Sequence, residues 1–276
     1  EWAKSIIEIF NKFITLSGNS VYNEQTKQGL LKHLVCRMEQ NQLLVCVVVN
    51  GNKLKNADKL IKMLSEKFEH FGLMLNENTL CNNVILTDKF TYLYGFKTIT
   101  MLEHQIVFDV SIESFLQVNT YIANKIYEEV CDSVTDEIVV NAYSGAGLLS
   151  ALLSKKAKHV YGIEIVKSAH LNAEQLIKRN SIKNVTNICG DVKMELHNIK
   201  NFNTIVLDPP RKGCDKTVIN LINLVYPNKI VYVSCDSATL SRDISNLKNY
   251  KITKVKPFDM FPNTRHVETL VVLEKI

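Results

Sequence analysis

The sequence of 276 residues lacks several features that define large classes of protein. No apolar run reaches the roughly 18 to 20 residues that a membrane-spanning helix needs. The first residues, EWAKSIIEIF, are amphipathic and include acidic side chains, unlike a secretory signal peptide. Internal repeats, low-complexity tracts and an initiator Met are also absent. We therefore expect a globular protein that does not enter membranes and is a fragment of a longer polypeptide.

Seven cysteines are scattered along the chain without any C-x-x-C pair. An odd number at irregular spacing argues against a disulfide framework and against a zinc site. Six of them are expected to be small core residues, because they stand in apolar contexts such as LLVCVVV. We predict a cytoplasmic protein without a bound metal.

The composition is that of an ordinary globular protein, with 46% hydrophobic and 22% charged residues. The formal net charge is +5, and most of the positive excess lies beyond residue 110. This bias permits a polyanionic partner such as a nucleic acid, but a solvated basic surface explains it equally well.

The first 112 residues divide into two predicted parts. Residues 1–19 have the apolar periodicity of a helix that ends at Ser17-Gly18-Asn19. Residues 20–112 are typical of an α+β domain with mainly antiparallel strands. In it, NADKLIKMLSEKFEHFG is predicted to be a helix with Asn56 as its N-cap and Gly72 after its end. NVILTD, FTYLYG and HQIVFDV are predicted to be short strands.

Residues 113–276 alternate between apolar strands and helices. The strands are EIVVNAYS, HVYGIEI, VTNICGD, NTIVLDPP and NKIVYVSC. This alternation predicts an α/β domain with a parallel, doubly wound sheet. Two further strands, KITKVKPFDM and ETLVVLEK, end the chain and are expected to pair antiparallel.

Ligands of such a sheet bind beyond the carboxyl ends of its strands, and polar residues recur there. The first strand leads into the turn Ser144-Gly145-Ala146-Gly147, and Glu164 ends the next strand. This spacing suits a carboxylate that accepts hydrogen bonds from a ribose. The third glycine of the dinucleotide-binding motif is missing, which favours a nucleoside cofactor without a pyrophosphate, such as S-adenosylmethionine. A simple tight turn is the alternative.

Two other strand ends carry reactive groups. In LDPPR, two prolines stiffen the loop that presents Asp208 and Arg211, although a strand terminator with a solvated Asp would look the same. In VYVSCDSATLSRD, Cys235 stands where a strand meets a helix, whose N-terminal amides stabilise a thiolate. Asp236 opposes that effect. Cys235 is thus a candidate nucleophile, with a core residue as the alternative.

Six blocks of sequence carry a more specific signal. They are SFLQVN at 114–119, NAYSGAGLLS at 141–150, VYGIEIV at 160–166, VLDPPRKGCD at 206–215, IVYVSCDSATLSRD at 230–243 and PFDMFPNTRHVETL at 257–270. In this order they resemble the RNA (uracil-5-)-methyltransferases, which use S-adenosylmethionine. The resemblance implies a Rossmann-like class I methyltransferase domain at 113–276, preceded by a smaller α+β domain.

The resemblance also implies roles for individual residues. Cys235 matches the nucleophile of the family, and Glu268 in HVET matches its proton acceptor. The cofactor-binding residues of the family match Gln117, Tyr143, Glu164 and Asp208, and Asp191 is a candidate for approaching the adenine. Without the resemblance, Gln117 is a surface polar residue and Glu268 a carboxylate in a hairpin.

The implied activity is methylation of uridine C5 in RNA through a covalent bond between Cys235 and C6 of the base. The partner is expected to be an unpaired loop of RNA. ATLSRD, DPPRKG and DMFPNTRHVE favour the 23S ribosomal RNA branch over the transfer RNA branch. A catalytically silent RNA-binding protein is a further alternative. Methylation of cytosine C5 is disfavoured, because the second cysteine site typical of those enzymes is missing. Methylation of an adenine amino group is disfavoured, because Arg211 and not an aromatic residue follows the two prolines.

Three departures from the family pattern stand out. Asn141 replaces a frequent Asp, which could alter cofactor affinity, and Ser237 replaces a frequent Pro behind the nucleophile. The TRAM domain and the Cys-x5-Cys-x2-Cys run of some relatives do not occur in this sequence. We expect that such an N-terminal RNA-binding domain was trimmed from the chain.

Overall fold

The computed structural model describes residues 1–114, 116–117, 119–135 and 137–276. Two residues of the SFLQVN block, Phe115 and Val118, lie outside this set. None of the helices in the described part of the chain has the length and the apolar character needed to cross a membrane. The chain divides into two compact units: Glu1–Met101 with Asp109–Ser114, and Leu102–Phe108 with Phe115–Ile276.

The first unit is built on a four-stranded sheet with two helices. The helices are α1 (Trp2–Ser17) and α2 (Ala57–Ser65), and the strands are β1 (Leu31–Glu39), β2 (Gln42–Val49), β3 (His70–Glu77) and β4 (Phe90–Tyr94). The sheet has the order β1-β2-β3-β4, in which β2 and β3 run parallel and the other pairs antiparallel. Apolar residues of α1 and α2, among them Phe13 and Leu60, pack against β2 and β3. Strands β5 (Thr98–Glu103) and β6 (Ile106–Ser111) form a separate two-stranded sheet.

Two sequence predictions for helix α2 are wrong. Helix α2 ends at Ser65 rather than continuing to Phe71, because His70–Glu77 pairs with β2 as strand β3. Asn56 precedes α2 in a left-handed conformation, and its side chain donates to the Ser17 carbonyl 3.0 Å away instead of capping the helix.

NVILTD is not a strand either. The buried side chains of Asn76 and Asn78 donate to the carbonyls of Thr87, Val84 and Ile85 at 2.7–3.0 Å. Backbone groups that are satisfied by side-chain amides in this way do not need a partner strand.

The second unit contains the predicted doubly wound sheet. Its strands are β7 (Ile138–Ala142), β8 (His159–Glu164), β9 (Val185–Cys189), β10 (Thr204–Leu207), β11 (Lys229–Ser234), β12 (Tyr250–Phe258) and β13 (Glu268–Lys275). They lie in the order β12-β13-β11-β10-β7-β8-β9. Strands β7 to β11 pair in parallel, whereas β13 is antiparallel to both of its neighbours, as the sequence predicted for the last two strands.

Helices cover both faces of this sheet, which confirms the expected α/β fold. They are α3 (Thr120–Asp132), α4 (Leu148–Leu153), α5 (Lys167–Arg179), α6 (Val192–Glu195), α7 (Lys216–Val225) and α8 (Ser237–Ser245). Residues of α3 and α4 share one apolar cluster with the sheet, and residues of α6, α7 and α8 share the other. The direction of the strand connections reverses between β7 and β10, so a crevice for ligands is expected at the carboxyl ends of these strands.

Candidate active site

The register of the central strands brings the predicted site residues to one edge of the sheet. Leu207, the last residue of β10, pairs with Ala142 of β7 on one side and with Tyr232 of β11 on the other. Each strand continues directly into a site residue or a site segment. Tyr143 follows Ala142, and Asp208 follows Leu207. The cofactor side and the nucleophile side of the predicted site therefore flank the Asp-Pro-Pro-Arg loop.

Cys235 and Glu268 face each other across the neighbouring strand pair. Ser234 at the end of β11 pairs with Thr269 of β13 in antiparallel register. Cys235 follows Ser234, and Glu268 precedes Thr269, so the two residues stand at the next opposed position. The Glu268 side chain is buried, with 6% of its surface exposed, and Cys235 is half-buried. The fold thus joins a thiol and a carboxyl that are 33 positions apart in the sequence.

Burial and mutual repulsion control the charges of this group. Burial raises the pKa of the Glu268 carboxyl. Burial, followed by the charge of Glu268, raises the pKa of Asp208 to about 7. Two carboxyls that share a poorly hydrated site cannot both ionise easily, so a proton is retained near neutral pH. The site therefore combines a thiol with a buried carboxyl, Glu268, and with a second carboxyl, Asp208, whose pKa suits proton exchange near neutral pH.

The pKa of the Cys235 thiol is raised, but burial raises the pKa of the buried cysteines to about 11 or 12. Burial and then the charge of Glu268 raise the pKa of Cys235, and Asp208 adds to the effect. Its own backbone amide and Arg211 act in the opposite direction, and their influence is smaller in sum. Asp236 caps α8 by accepting from the amides of Ala238 and Thr239 at 3.0 Å, so its charge is directed toward that helix.

The glycine turn and Glu164 meet on the other side of the sheet edge. One oxygen of Glu164 accepts from the Gly145 amide at 2.9 Å, and the other accepts from the Val166 amide at 2.7 Å. Gly147 has φ = 87°, and a Cβ there would lie 2.7 Å from the Cβ of Ala173 in α5. The glycine therefore permits close packing of the turn against α5. A Cβ on Gly145 would meet nothing within 4 Å, so this side of the turn is open.

These residues fit a nucleoside with a ribose. An ionised carboxylate offers about four acceptor sites, and the two backbone amides occupy only two of them. Glu164 can thus accept from ribose hydroxyls while it holds the turn. Tyr143 extends the same edge; it is half-buried, and its backbone has a positive φ of 64°.

The remaining predicted residues lie near this edge of the second unit. Asp191 begins α6 and accepts from the Lys193 amide at 3.1 Å, which engages one of its oxygens. Gln117 is half-buried in the segment before α3. Two residues later, Asn119 caps α3 through the Ile122 amide. Its amide group donates to the Met260 carbonyl at 3.4 Å.

Asn141 is fully buried beneath the glycine turn. Its amide nitrogen donates to the Ser150 hydroxyl at 2.9 Å, while its carbonyl oxygen has no partner in the structure. Asn141, which stands where relatives often have Asp, thus supports the turn from below and is not exposed at its surface.

Sequence reasoning missed His266. Its Nδ1 lies 3.2 Å from an Nη atom of Arg211, which joins the Asp-Pro-Pro-Arg loop to the segment before Glu268. Because the guanidinium is always a donor, the imidazole accepts at Nδ1 and carries its proton on Nε2. In the sequence, His266 is the first residue of HVET and stands two positions before Glu268. The cysteine prediction also needs correction, since Cys81 and Cys189 are exposed rather than in the core.

Comparison with known proteins identifies the family of the chain. The family model described as tRNA (uracil-5-)-methyltransferase matches residues 40–195 and 190–276. The chain belongs to this family.

Relatives of this uracil-5-methyltransferase family member cover nearly the whole chain. An uncharacterized RNA methyltransferase from Fusobacterium nucleatum is 35% identical over 99% of the chain and 60% of the relative. Another from Clostridium tetani is 36% identical over 99% of the chain and 62% of the relative. The chain thus spans about three fifths of the length of these curated relatives.

Solved structures share the fold. The tRNA (uracil-54, C5)-methyltransferase of Pyrococcus abyssi, in complex with S-adenosyl-L-homocysteine, aligns with a TM-score of 0.83 and 26% identity. The alignment covers 99% of this chain and 67% of that one. The tRNA m1G37 methyltransferase of M. jannaschii aligns with a TM-score of 0.58 at 14% identity, over 92% and 78% of the chains, and supports the methyltransferase fold alone.

Proposed function

We propose that the protein methylates C5 of uridine in RNA with S-adenosylmethionine as methyl donor, through its methyltransferase domain at residues 113–276. The observation that carries this proposal is the position of Cys235 opposite Glu268, one residue beyond the Ser234–Thr269 pair of β11 and β13. A thiol and a buried carboxyl at the ligand edge of a doubly wound sheet provide the two groups that this reaction requires. Family membership supports the same reaction.

Cys235 acts as the nucleophile. Its thiolate adds to C6 of the uracil, which forms the C6–S bond and moves the electrons of the C5–C6 double bond toward C5 and O4. Without this step, C5 is a poor carbon nucleophile. The thiol proton must leave first, and burial makes that costly in the free protein. Arg211 is the cation that acts on the thiol, and it favours the thiolate.

Glu268 acts as the general base after C5 has received the methyl group. It removes the C5 proton, the double bond to C6 re-forms, and the C6–S bond breaks to return the thiolate. A raised pKa suits this role, because a carboxylate in a poorly hydrated site is a stronger base than one in water. A proton held by Asp208, whose pKa is about 7, leaves Glu268 to carry the negative charge.

S-adenosylmethionine, when bound, supplies the methyl group for C5. We propose that Glu164 holds its ribose, that Gln117, Tyr143 and Asp208 hold the rest of the molecule, and that Asp191 approaches the adenine. The open glycine turn and the free acceptor positions of Glu164 support this assignment. The free state of all seven cysteines supports a reducing compartment, which we propose to be the cytoplasm.

Glu164→Ala is expected to weaken the binding of S-adenosyl-L-homocysteine by about tenfold to 100-fold. The substitution removes an ionised acceptor, and hydrogen bonds to charged groups contribute roughly 1.5–3 kcal/mol each. Isothermal titration calorimetry measures the affinity. Glu128→Ala, an exposed carboxylate on α3, serves as the matched control. Unchanged affinity in the Glu164 variant would show that Glu164 does not bind the ribose.

Two classes of RNA are candidates for the substrate. The details of ATLSRD, DPPRKG and DMFPNTRHVE lead us to propose ribosomal RNA, with an unpaired uridine as the target. The similarity to a tRNA (uracil-54, C5)-methyltransferase favours transfer RNA as the second candidate.

Mass-spectrometric mapping of 5-methyluridine in both RNAs, from cells with and without the protein, tests the proposal. We expect one or more ribosomal positions to lose the methyl group. Loss confined to transfer RNA would select the second candidate, and no loss in either RNA would contradict the methylation of uridine.

A further inference from the structure

The helix that follows the nucleophile is bonded to the loop that carries Arg211. Along one side of α8, Thr239, Arg242 and Asp243 follow the i, i+3, i+4 spacing of a helix face. The Thr239 hydroxyl donates to the Arg211 carbonyl at 3.3 Å. Arg242 donates from Nη2 to the Lys212 carbonyl at 2.9 Å. These contacts therefore lie within little more than one helical turn, which begins four residues after Cys235.

Asp243 is the centre of this arrangement. This residue is buried, with 3% of its surface exposed, although its side chain is a carboxyl. One oxygen accepts from the Cys214 amide at 2.8 Å and from the Tyr232 hydroxyl at 2.7 Å. The other accepts from Nε and Nη2 of Arg242 at 2.9 and 2.7 Å. A buried carboxylate with four donors fixes the positions of all of them, since each would lose a charge-assisted hydrogen bond by moving.

The loop itself is shaped to accept this contact. Gly213 has φ = 75°, and a Cβ there would lie 2.5 Å from Nη2 of Arg242 and 2.6 Å from an oxygen of Asp243. Its amide closes a turn on the Pro210 carbonyl at 2.8 Å. The thiol of Cys214 interacts with the side chains of Tyr143 and Tyr232, so the same contact region reaches the cofactor side of the sheet.

We propose that Thr239, Arg242 and Asp243 form a clamp that holds the loop at residues 211–214 against α8, and that Asp243 is a positioning residue for Arg211. The inference deepens the proposed function, on which it rests. The clamp touches neither substrate nor cofactor. It acts by keeping the guanidinium of Arg211 in place, 3.2 Å from Nδ1 of His266, which stands two positions before Glu268 in the sequence. From there Arg211 favours the thiolate of Cys235, which Glu268 and Asp208 oppose.

The pH dependence of Cys235 alkylation tests the clamp without RNA or cofactor. Iodoacetamide reacts with the thiolate, and mass spectrometry of the peptide that contains Cys235 separates its rate from those of the other six cysteines. Arg211→Gln is expected to move the inflection to higher pH by about one unit, since it removes a nearby opposite charge. Asp243→Asn is expected to move it in the same direction by about half as much, because the charged acceptor of Arg242 is lost.

Two further variants make the result decisive. Ser241→Ala alters an exposed residue of α8 and is expected to leave the inflection at its wild-type value. Thr239→Val removes the hydroxyl that donates to the Arg211 carbonyl at 3.3 Å and to the Asp236 carbonyl at 3.1 Å. This variant decides the matter if Asp243→Asn does not fold, as judged by circular dichroism. A folded clamp variant with the wild-type inflection, alongside a shift in Arg211→Gln, overturns the positioning role. A wild-type inflection in Arg211→Gln also overturns it, since the clamp would then have nothing to position. Failure of the uridine chemistry itself would be seen in the RNA experiments and not in this one.

Discussion

Cys235→Ser is expected to abolish the covalent complex that the wild-type protein forms with RNA containing 5-fluorouridine and S-adenosylmethionine. With this base, the thiolate adds to C6 and C5 is methylated, but the fluorine on C5 cannot be removed as a proton. The C6–S bond therefore persists, and the complex accumulates. A serine hydroxyl ionises far less readily than a thiol, and loss of a nucleophile costs roughly 10⁴-fold or more in rate. Denaturing gel electrophoresis detects the complex as RNA that migrates with the protein.

Cys189→Ser is the matched control, since Cys189 is an exposed cysteine at the end of β9 in the same unit. It is expected to form the complex as the wild type does. A complex in Cys235→Ser would assign the nucleophile to another residue. No complex with the wild-type protein would favour the alternative of a catalytically silent RNA-binding protein.

The sequence predicted the central strands β7, β10 and β11 of the second unit well, because each is a short buried apolar run that is followed by polar residues. Such runs are typical of parallel strands that are covered by helices on both faces of the sheet. The meeting of Gly145 with Glu164 was also foreseeable, since adjacent parallel strands bring their carboxyl ends to one edge. The opposition of Cys235 and Glu268 was not, because it depends on the register of β11 with β13, a contact between distant segments.

Local patterns misled where tertiary contacts overrode them. Residues 66–71 continue the apolar periodicity of α2 well enough to suggest a longer helix, but α2 ends at Ser65 and His70–Glu77 pairs with β2. The clamp left a usable signal that was not interpreted. Asp243 stands beside the apolar residues Leu240 and Ile244 of α8, and a carboxylate on the buried side of a helix requires partners there.

Glu268→Gln is expected to trap RNA on the protein after the methyl group has reached C5. Glutamine has nearly the same shape as glutamate and cannot accept the C5 proton, so elimination of the thiol slows by roughly 10²–10⁴-fold. S-adenosylmethionine labelled in its methyl group reports the trapped species, because the label then migrates with the protein in a denaturing gel.

The earlier step should respond in the opposite direction, which separates a general base from a structural carboxylate. Glu268 is among the groups that raise the pKa of the Cys235 thiol, so its neutral replacement lowers that pKa and favours the thiolate. Attack on C6 is thus expected to be at least as fast as in the wild type, while release is slow. Glu274→Gln, on the same strand, is expected to change neither step. If Glu268→Gln released free methylated RNA at the wild-type rate, the role would be rejected, because another group would then be removing the C5 proton.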